Sequence, residues 1–118
     1  MEKYLQRSNI SIKQALTVLS QSGNKCLVII DSEDKFLGTL SDGDLRKKIL
    51  TGISLSNSIE DVYQKNCVII EEGDYDPENA KRIFVKKRLD LIPIIGSNKK
   101  VSRVIFWDDL FQHKKRRK

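Results

Sequence analysis

The sequence contains few of the residues that build metal sites and disulfides, with two cysteines and one histidine among 118 residues. A structural zinc site takes about four ligands, and Cys26, Cys67 and His113 are too few and too far apart along the chain to supply them. Each cysteine lies in a short apolar run, which is typical of a buried, reduced thiol inside a cell. We therefore expect no bound metal and a cytoplasmic protein.

Long apolar runs and catalytic motifs are also missing. The longest apolar runs, Cys26–Ile30 and Leu91–Ile95, are far shorter than the roughly 20 residues that cross a bilayer, and residues 1–9 lack the apolar core of a signal peptide. There is no P-loop and no Ser/His/Asp set. Asp108 and Asp109 are adjacent, so on a helix their carboxylates point about 100° apart. We expect no membrane partner and no enzymatic activity within these residues.

The positive charge is concentrated at one end of the chain. The net charge is +6, and the last five residues, 114–118, are all lysine or arginine. The rest of the chain is therefore close to neutral. A basic cluster can contact nucleic acid, but no aromatic residue is interleaved with this one. A solvated linker, or cations that close a helix opened by Asp108 and Asp109, explains it more simply, and we expect no nucleic-acid partner.

An internal repeat is the most informative feature that is present. Residues 15–45 align with residues 80–110 without a gap, so that Ala15 falls on Ala80 and Asp44 on Asp109. Repeats indicate architecture before any other pattern does. Two copies are too few for a solenoid, so they predict a paired module, and the cleft between paired halves is a common place for a small molecule.

Each copy reads as an edge strand, a helix, a strand hairpin and a second helix, which is the order βαββα. The predicted strands lie at 26–30 and 35–40 in the first copy and at 91–95 and 101–106 in the second, with edge strands at 4–5 or 10 and at 67–70. The predicted helix caps are Ser11, Ser41, Ser58 and Asp76, with a last helix that begins near Asp108. We expect an α+β fold with one motif at 1–57 and a second at 58–118.

The junction of the second strand and second helix reads Gly38-Thr39-Leu40-Ser41-Asp42-Gly43-Asp44. With the tandem βαββα order, it resembles a pair of cystathionine-β-synthase (CBS) domains, also called a Bateman module. The resemblance covers almost the whole chain. It implies two CBS motifs packed with pseudo-two-fold symmetry, a homodimer, and a nucleotide site at the positions of Gly38, Ser41 and Asp44.

The chemistry of this junction fits a nucleoside phosphate without reference to the family. Ser41 stands where free N–H groups and the positive end of a helix favour a phosphate. Gly38 has no side chain and would let a ligand approach the backbone. The carboxylate of Asp44 can accept hydrogen bonds from two adjacent hydroxyls, as in a ribose. The alternative interpretation is structural, because Ser41-x-x-Asp44 is also a capping box with Asp in place of Glu or Gln.

The resemblance implies further contacts and a ligand class. Thr39 and Asp42 flank the motif, and the purine would pack near the edge strand and the first hairpin strand, at Ile10, Lys25, Cys26 and Leu27. The implied ligand is an adenine-type nucleotide (AMP, ADP or ATP) that acts as a regulator. The chain does not indicate a choice of adenine over another base.

The second copy departs from the motif. Gly38 is replaced by Arg103, Ser41 by Phe106 and Asp42 by Trp107, while Asp109 is kept. Phenylalanine cannot hydrogen-bond a phosphate, so we expect one competent site and a weak or empty second one at Ile92, Pro93, Arg103 and Asp109. Arg103 would either reach a phosphate of the first site or be a surface residue, and Phe106 and Trp107 would be core or dimer-contact residues.

A finer resemblance concerns the attached enzyme. The run 40–52 and the run Trp107-Asp108-Asp109-Leu110-Phe111 are similar to CBS pairs at the N-terminus of sugar-1-phosphate nucleotidyltransferases, whose catalytic domain follows a basic stretch. Met1 favours this arrangement over sugar-phosphate isomerases, which carry the pair after the catalytic domain. The resemblance thus implies a regulatory module with a downstream catalytic domain in the same chain. A purely structural dimerisation module with vestigial sites is the alternative.

Overall fold

The structure, a computed structural model, describes residues 3–111. The chain forms two compact units, Met1–Cys67 and Val68–Lys118. Each unit contains a three-stranded sheet and helices, so the predicted α+β class is confirmed. No helix within residues 3–111 has the length and apolarity needed to cross a membrane.

The first unit is built in the order β1 (Leu5–Arg7), α1 (Ile12–Ser22), β2 (Cys26–Ile30), β3 (Phe36–Ser41) and α2 (Asp42–Leu50), followed by a short 3₁₀ helix at Ile59–Asp61. Strand β2 is central, with β1 parallel and β3 antiparallel to it. The second unit repeats this plan with β4 (Ile70–Glu71), a 3₁₀ helix at Glu72–Asp74, α3 (Pro77–Lys87), β5 (Leu91–Ile95), β6 (Val101–Phe106) and α4 (Trp107–Phe111).

The sequence repeat is reproduced in the strand register. Cys26 lies opposite Ser41 in the first sheet, and Leu91 lies opposite Phe106 in the second. Each hairpin also has a register irregularity at the same place, after Ile29 and after Ile94 respectively. The two copies therefore share their backbone pairing as well as their order of elements.

Side-chain caps set the helix ends, as the sequence predicts. Ser11 accepts a hydrogen bond from the N–H of Gln14, whose side chain caps the N–H of Ser11 in return. Gly23 ends α1 in the left-handed region, at φ 76°. In α3, Asp76 caps the N–H of Asn79. Each such cap stabilises a helix by about 1 kcal/mol.

Each unit has its own apolar core. In the first, α1 and α2 bury one face against the sheet, with Ile12, Leu27 and Leu45 fully buried. In the second, Phe84 of α3 is fully buried and has Trp107 and Phe111 of α4 edge-on to its ring, at centroid distances of 6.0 and 6.4 Å. Complete burial of one such side chain contributes about 1.5–3 kcal/mol.

Two sequence predictions differ from the structure around residue 67. The second edge strand is Ile70–Glu71, so the predicted strand at 67–70 is wrong for most of its length. The reason is that the chain first returns to β3, where the backbone of Gln64 bonds to Thr39. Cys67 is accordingly half-buried, and only Cys26 is buried as predicted. The first compact unit ends at Cys67, and the boundary between the two repeated motifs at 57 stays a prediction.

The structure tests part of what the sequence predicts for the two ends of the chain. The first edge strand, predicted at 4–5 or 10, is Leu5–Arg7. Helix α4 begins at Trp107, beside the predicted start near Asp108. His113, the basic residues 114–118 and their predicted role in closing a helix lie outside the described residues.

Candidate functional site

The site predicted from the sequence lies where β3 passes into α2. Ser41 is the last residue of the strand and the N-cap of the helix, with φ −95° and ψ 163°. Its Oγ accepts a hydrogen bond from the N–H of Asp44 at 3.0 Å, and its own N–H donates to Oδ2 of Asp44 at 3.0 Å. The capping-box interpretation is therefore confirmed. The cap uses the oxygen of the Ser41 hydroxyl as an acceptor and leaves its proton for another partner.

Both oxygens of the Asp44 carboxylate have a partner within the unit. Oδ2 is bonded to Ser41, and Oδ1 accepts a hydrogen bond from Nε2 of Gln64 at 3.3 Å. Asp44 is half-buried. Because each carboxylate oxygen can accept two hydrogen bonds, the carboxylate is held in place and keeps acceptor capacity for ligand hydroxyls.

Gly38 meets the chain's own backbone at close range. A Cβ placed there would lie 2.1 Å from the carbonyl oxygen of Gln64 and 2.7 Å from Cδ1 of Tyr63. The next residue, Thr39, exchanges two backbone hydrogen bonds with Gln64, at 3.0 and 2.7 Å. The missing side chain at Gly38 therefore makes room for residues 63 and 64, a reason that the sequence alone did not supply.

The strand hairpin brings other predicted residues to the same junction. Cys26 pairs with Ser41, and Leu27 pairs with Leu40. The carbonyl of Lys25 accepts a hydrogen bond from the N–H of Asp42 at 2.9 Å, while the Asp42 carboxylate forms an ion pair with Arg46 one turn along the helix. The start of α2 is thus anchored to the start of β2.

Ile10 has a different position. Its carbonyl accepts a hydrogen bond from the N–H of Ile59 at 3.0 Å, and its side chain packs against the core of the first unit. It is therefore linked to the segment that contains Gln64. Ile10 precedes α1 and is not part of the hairpin that brings the other predicted residues to the junction.

A surface cavity of about 290 Å³ begins at Asp44 and continues along α2. Its lining combines one face of α2 and its C-cap with the end of the 3₁₀ helix and the segment that follows it: Asp44, Lys47, Lys48, Thr51, Asp61, Val62 and Gln64. We call it the α2 groove. Of its lining, only Asp44 is among the predicted site residues, and the sequence leaves Lys47 as either a helper at the phosphate or a solvated residue of the helix face. The spacing of Asp44, Lys47, Lys48 and Thr51 (i, i+3, i+4, i+7) is the signal that could have shown that they share a helix face.

The corresponding junction in the second unit keeps half of this arrangement. The N–H of Phe106 donates to Oδ2 of Asp109 at 2.7 Å, as that of Ser41 does to Asp44. Phenylalanine has no hydroxyl with which to complete the cap or to donate to a ligand. Arg103 lies over the ring of Tyr75 in its own unit, 4.7 Å from the ring centroid.

The remaining predicted residues of the second junction have structural surroundings. Ile92 and Pro93 are fully buried in β5. Trp107 stacks on Phe111 at a centroid distance of 4.1 Å but is 38% exposed, so the predicted core position is wrong and the predicted dimer contact stays a prediction.

The comparison with family models matches residues 7–51 to the CBS domain. Each of the two units contains a three-stranded sheet and follows the order βαββα, which is the tandem arrangement of a CBS domain pair. The chain has the fold of a CBS domain pair. The predicted fold and the predicted resemblance to a CBS domain pair are therefore confirmed.

Known proteins with this fold include several with a bound adenine compound. CBSX2 from Arabidopsis thaliana, solved in complex with AMP, superposes with a TM-score of 0.79 at 16% identity and covers 93% of this chain and 85% of its own. The CBS domain pair of protein MJ0100, solved with 5′-methylthioadenosine and S-adenosyl-L-methionine, gives a TM-score of 0.78 at 21% identity, with 93% and 89% covered.

A curated relative by sequence is arabinose 5-phosphate isomerase GutQ from Salmonella typhi. It is 24% identical over 102 residues, which are 86% of this chain and 32% of the isomerase. The chain thus spans about a third of the length of this relative. The predicted likeness to the N-terminal pair of nucleotidyltransferases is not among these findings.

Proposed function

We propose that the first unit binds an adenine-type nucleotide as a regulatory ligand at the β3–α2 junction. The observation that carries this proposal is the pairing of Ser41 and Asp44 at the start of α2. Asp44 accepts hydrogen bonds from the ribose hydroxyls, and the free proton of Ser41 is donated to a phosphate oxygen at the positive helix end. The AMP complex of CBSX2, a protein of the same fold, supports the ligand class.

The other predicted residues have supporting roles in this proposal. Lys25, Cys26 and Leu27, at the start of the central strand, and Ile10 offer the purine an apolar wall and backbone polar groups. Thr39 and Asp42 hold β3 and α2 in place through the bonds described above. Gly38 is required by packing and has no ligand contact in this proposal.

The second junction is proposed to be weak or empty. Asp109 keeps the carboxylate, but Phe106 lacks a hydroxyl and Arg103 is engaged with Tyr75. The side chains of Ile92 and Pro93 are enclosed by their own unit. One nucleotide for each chain is therefore the expected stoichiometry.

The ligand is proposed to regulate an attached enzyme by favouring one arrangement of a CBS-pair homodimer. The sequence similarity to GutQ supports a sugar-phosphate isomerase as that enzyme. The sequence motifs favour a sugar-1-phosphate nucleotidyltransferase, which is the first expectation and becomes the alternative in this proposal.

A structural role without ligand is the second candidate function. It is supported by the complete capping box, which gives Ser41 and Asp44 a stabilising role with no ligand present. In that case the module would only dimerise or hold an enzyme in its oligomer.

Calorimetric titration with AMP, ADP and ATP separates nucleotide binding from a purely structural role, provided that the Ser41 variants keep the helix cap. Ser41→Thr keeps both the hydroxyl and the cap, whereas Ser41→Asp keeps the cap but sets a carboxylate against the phosphate. We expect Ser41→Thr to bind and Ser41→Asp to lose binding with an unchanged unfolding midpoint.

Substitutions of the two related aspartates complete the test. Asp44→Ala should abolish binding, while Asp109→Ala, the matched change in the second unit, should leave affinity and stoichiometry unchanged. Absence of heat with all three nucleotides and the unmodified chain would leave the structural function as the conclusion.

A further inference from the structure

The exposed side of α3, in the second unit, carries a cavity of about 460 Å³. Its lining has the spacing of one helix face (i, i+3, i+4, i+7, i+8): Glu78, Lys81, Arg82, Val85 and Lys86. The walls are almost entirely apolar, because the aliphatic stems of lysine and arginine side chains lie along a surface while their charged ends reach the water. We call this surface the α3 face.

An exposed valine stands among cations on the α3 face. Val85 is 58% exposed. Lys81 and Arg82 precede it by one helical turn, Lys86 is next to it in the lining, and Arg88 follows it by three residues. Residues three and four positions apart are neighbours on a helix surface. The face therefore presents an apolar centre with positive charges around it.

The first unit shows that the fold does not require this surface. With the repeat offset of 65, Val85 falls on Ser20 of α1. The four cations around Val85 fall on uncharged residues: Leu16, Thr17, Gln21 and Gly23. Helices α1 and α3 nevertheless have the same length of 11 residues and each packs into the core of its own unit. The exposed valine and its cations are thus particular to α3.

Arg88 is kept at a position that favours glycine. It ends α3 in the left-handed region at φ 56°, where α1 ends with Gly23 at φ 76°. A residue with a side chain is strained in that region, whereas glycine is not. Strained backbone positions are concentrated at functional sites. The chain therefore carries a cation beside the α3 face at the expense of the stability that glycine would give.

The helix dipole does not explain the whole charge pattern. It favours cations in the last turn of a helix, where Lys86 and Lys87 lie. Lys81 and Arg82 lie in the middle of α3, where this effect is absent. Arg82 donates a hydrogen bond to the side-chain oxygen of Asn79 at 3.3 Å, a neutral partner that leaves its charge uncompensated.

The positive charge is greatest at the C-terminal end of the face. Glu78, the carboxylate in the lining, is paired with Lys81 at 3.6 Å at the other end. Within the described residues, neither Lys86 nor Arg88 is in an ion pair, and the same is true of Asp90, the nearest following carboxylate in the sequence. A ligand of this face therefore needs negative charge at one end and an apolar group at its centre.

We propose that the α3 face docks an acidic helical segment of a partner protein. An apolar side chain of the segment packs on Val85, and its carboxylates pair with Arg82 and Lys86. Helices pack side by side through interdigitated side chains of this kind. The inference is independent of the proposed nucleotide site, which lies in the first unit.

Other classes of partner fit the α3 face less well. A nucleic acid has no apolar group for Val85, and the lining offers no aromatic ring on which a base could stack. One exposed valine buries too little apolar area to hold a helix in a membrane surface. A second copy of the chain that presents the same face brings cations against cations.

Fluorescence anisotropy with labelled peptides and the 118-residue chain tests the proposal. The probe is a helical peptide of about 16 residues, with two leucines four positions apart and glutamates on both sides of them. One control peptide has glutamine for every glutamate, and a second has serine for both leucines. We expect the probe to bind more tightly than either control, and its affinity to fall as NaCl is raised.

The chain variants give the α3 face the residues of α1. They are Arg82→Thr, Val85→Ser, Lys86→Gln and the triple variant. Lys13→Gln on α1 is the matched control for Lys86→Gln, since it removes one exposed helix lysine outside the face. Circular dichroism confirms that each variant is folded. We expect the triple variant to bind the probe about tenfold or more weakly, and Lys13→Gln to bind it as the unmodified chain does.

Arg88→Gly separates a binding role from a structural one. It should weaken probe binding by about threefold and raise the midpoint of thermal unfolding, because glycine relieves the left-handed backbone. Equal affinity for the probe and the glutamine peptide, unchanged affinity in the triple variant, or absence of probe binding overturns the inference. None of these results affects AMP binding, which the triple variant should keep unchanged.

The remaining occupants are tested with the same variants. A 20-nucleotide single-stranded RNA or vesicles of phosphatidylserine and phosphatidylcholine that bind more tightly than the probe, and lose binding in the triple variant, overturn the inference. Sedimentation equilibrium tests a second copy. A dimer of the unmodified chain that dissociates in the triple variant assigns the face to self-association and also overturns it.

Discussion

The side-chain amide of Gln64 donates a hydrogen bond to Oδ1 of Asp44 at 3.3 Å. The two residues are 20 positions apart in sequence, and the backbone bonds between Gln64 and Thr39 bring them together. Gln64 is exposed, so this bond has little weight in the stability of the unit. The bond instead orients the carboxylate of Asp44, to which we assign the sugar hydroxyls.

Gln64→Ala is predicted to weaken AMP binding by about threefold to tenfold, because an exposed hydrogen bond that orients the Asp44 carboxylate is lost. The free energy of unfolding should change by no more than about 0.5 kcal/mol, as for other exposed positions. Titration calorimetry and urea unfolding measure the two quantities. Gln21→Ala, an exposed position on α1, is the control and should change neither. Equal AMP affinity in Gln64→Ala and the unmodified chain would show that Asp44 needs no positioning residue.

Gly38→Ala is predicted to destabilise the first unit by about 1–3 kcal/mol, the usual cost of overpacking. The added Cβ would lie 2.1 Å from the carbonyl oxygen of Gln64, a residue held by two backbone hydrogen bonds to Thr39. Gly43→Ala is the matched control, since its Cβ meets only Oγ of Ser41 at 3.7 Å. That change should be neutral, or stabilising by up to about 1 kcal/mol, because Gly43 is helical. Urea unfolding of both variants measures the difference, and similar midpoints would contradict the prediction.

The sequence predicts those parts of this fold that depend on local patterns. Ser11, Ser41 and Asp76 are caps as predicted, and strand β5 has the predicted bounds. These features follow from short-range hydrogen bonding and from the periodicity of apolar residues. The repeat adds the long-range order, because it requires both copies to pair their strands in one register.

The parts that were missed depend on contacts between distant residues with no periodic signal. Gln64 reaches β3 by a single β-bridge, which no alternation of polar and apolar residues marks. The same contact gives Gly38 its packing role. It is also the reason why the edge strand begins at Ile70 and not at 67 as predicted. Helix α3 ends with a left-handed arginine, Arg88 at φ 56°, where the usual residue is glycine. Local preference would not have placed that end.

Asp31→Asn is predicted to remove one source of pH-dependent stability. Oδ1 of Asp31 accepts the N–H groups of Lys35 and Glu33, at 2.9 and 2.8 Å, which lower the pKa of this carboxyl below its ordinary value of 3.8. A carboxyl with a lowered folded-state pKa stabilises the fold above its unfolded pKa, and this contribution is lost as the pH falls through the folded-state value.

The amide of the Asp31→Asn variant keeps an acceptor oxygen for the turn, so only the charge is removed. Thermal unfolding should show the unmodified chain to be the more stable at neutral pH, with the gap closing below pH 3.8. Asp31→Ala removes the acceptor as well and should stay less stable than both at every pH. A gap between the unmodified chain and Asp31→Asn that does not depend on pH would contradict this assignment.

Cys67 is predicted to react slowly with alkylating reagents in the folded chain. Burial raises the pKa of its thiol above the ordinary value of 9.0, and its Sγ donates to the carbonyl of Gln64 at 3.3 Å. Since the thiolate is the reactive form, modification by iodoacetamide at pH 8 should be slower than in the urea-unfolded chain. Cys26, only 8% exposed, should be slower still because the reagent cannot reach it. Mass spectrometry of the digested protein assigns each rate to its cysteine.

The raised pKa of Cys67 also fixes the direction of a stability change at high pH. In the unfolded chain the thiol ionises first, so the folded state binds the extra proton, and stability falls as the pH rises above about 9. Cys67→Ser, which has no thiol to ionise, should lose less stability than the unmodified chain between pH 8 and about 10.

Equal alkylation rates for Cys67 in the folded and unfolded chains at pH 8 would show that the thiol is not held against Gln64.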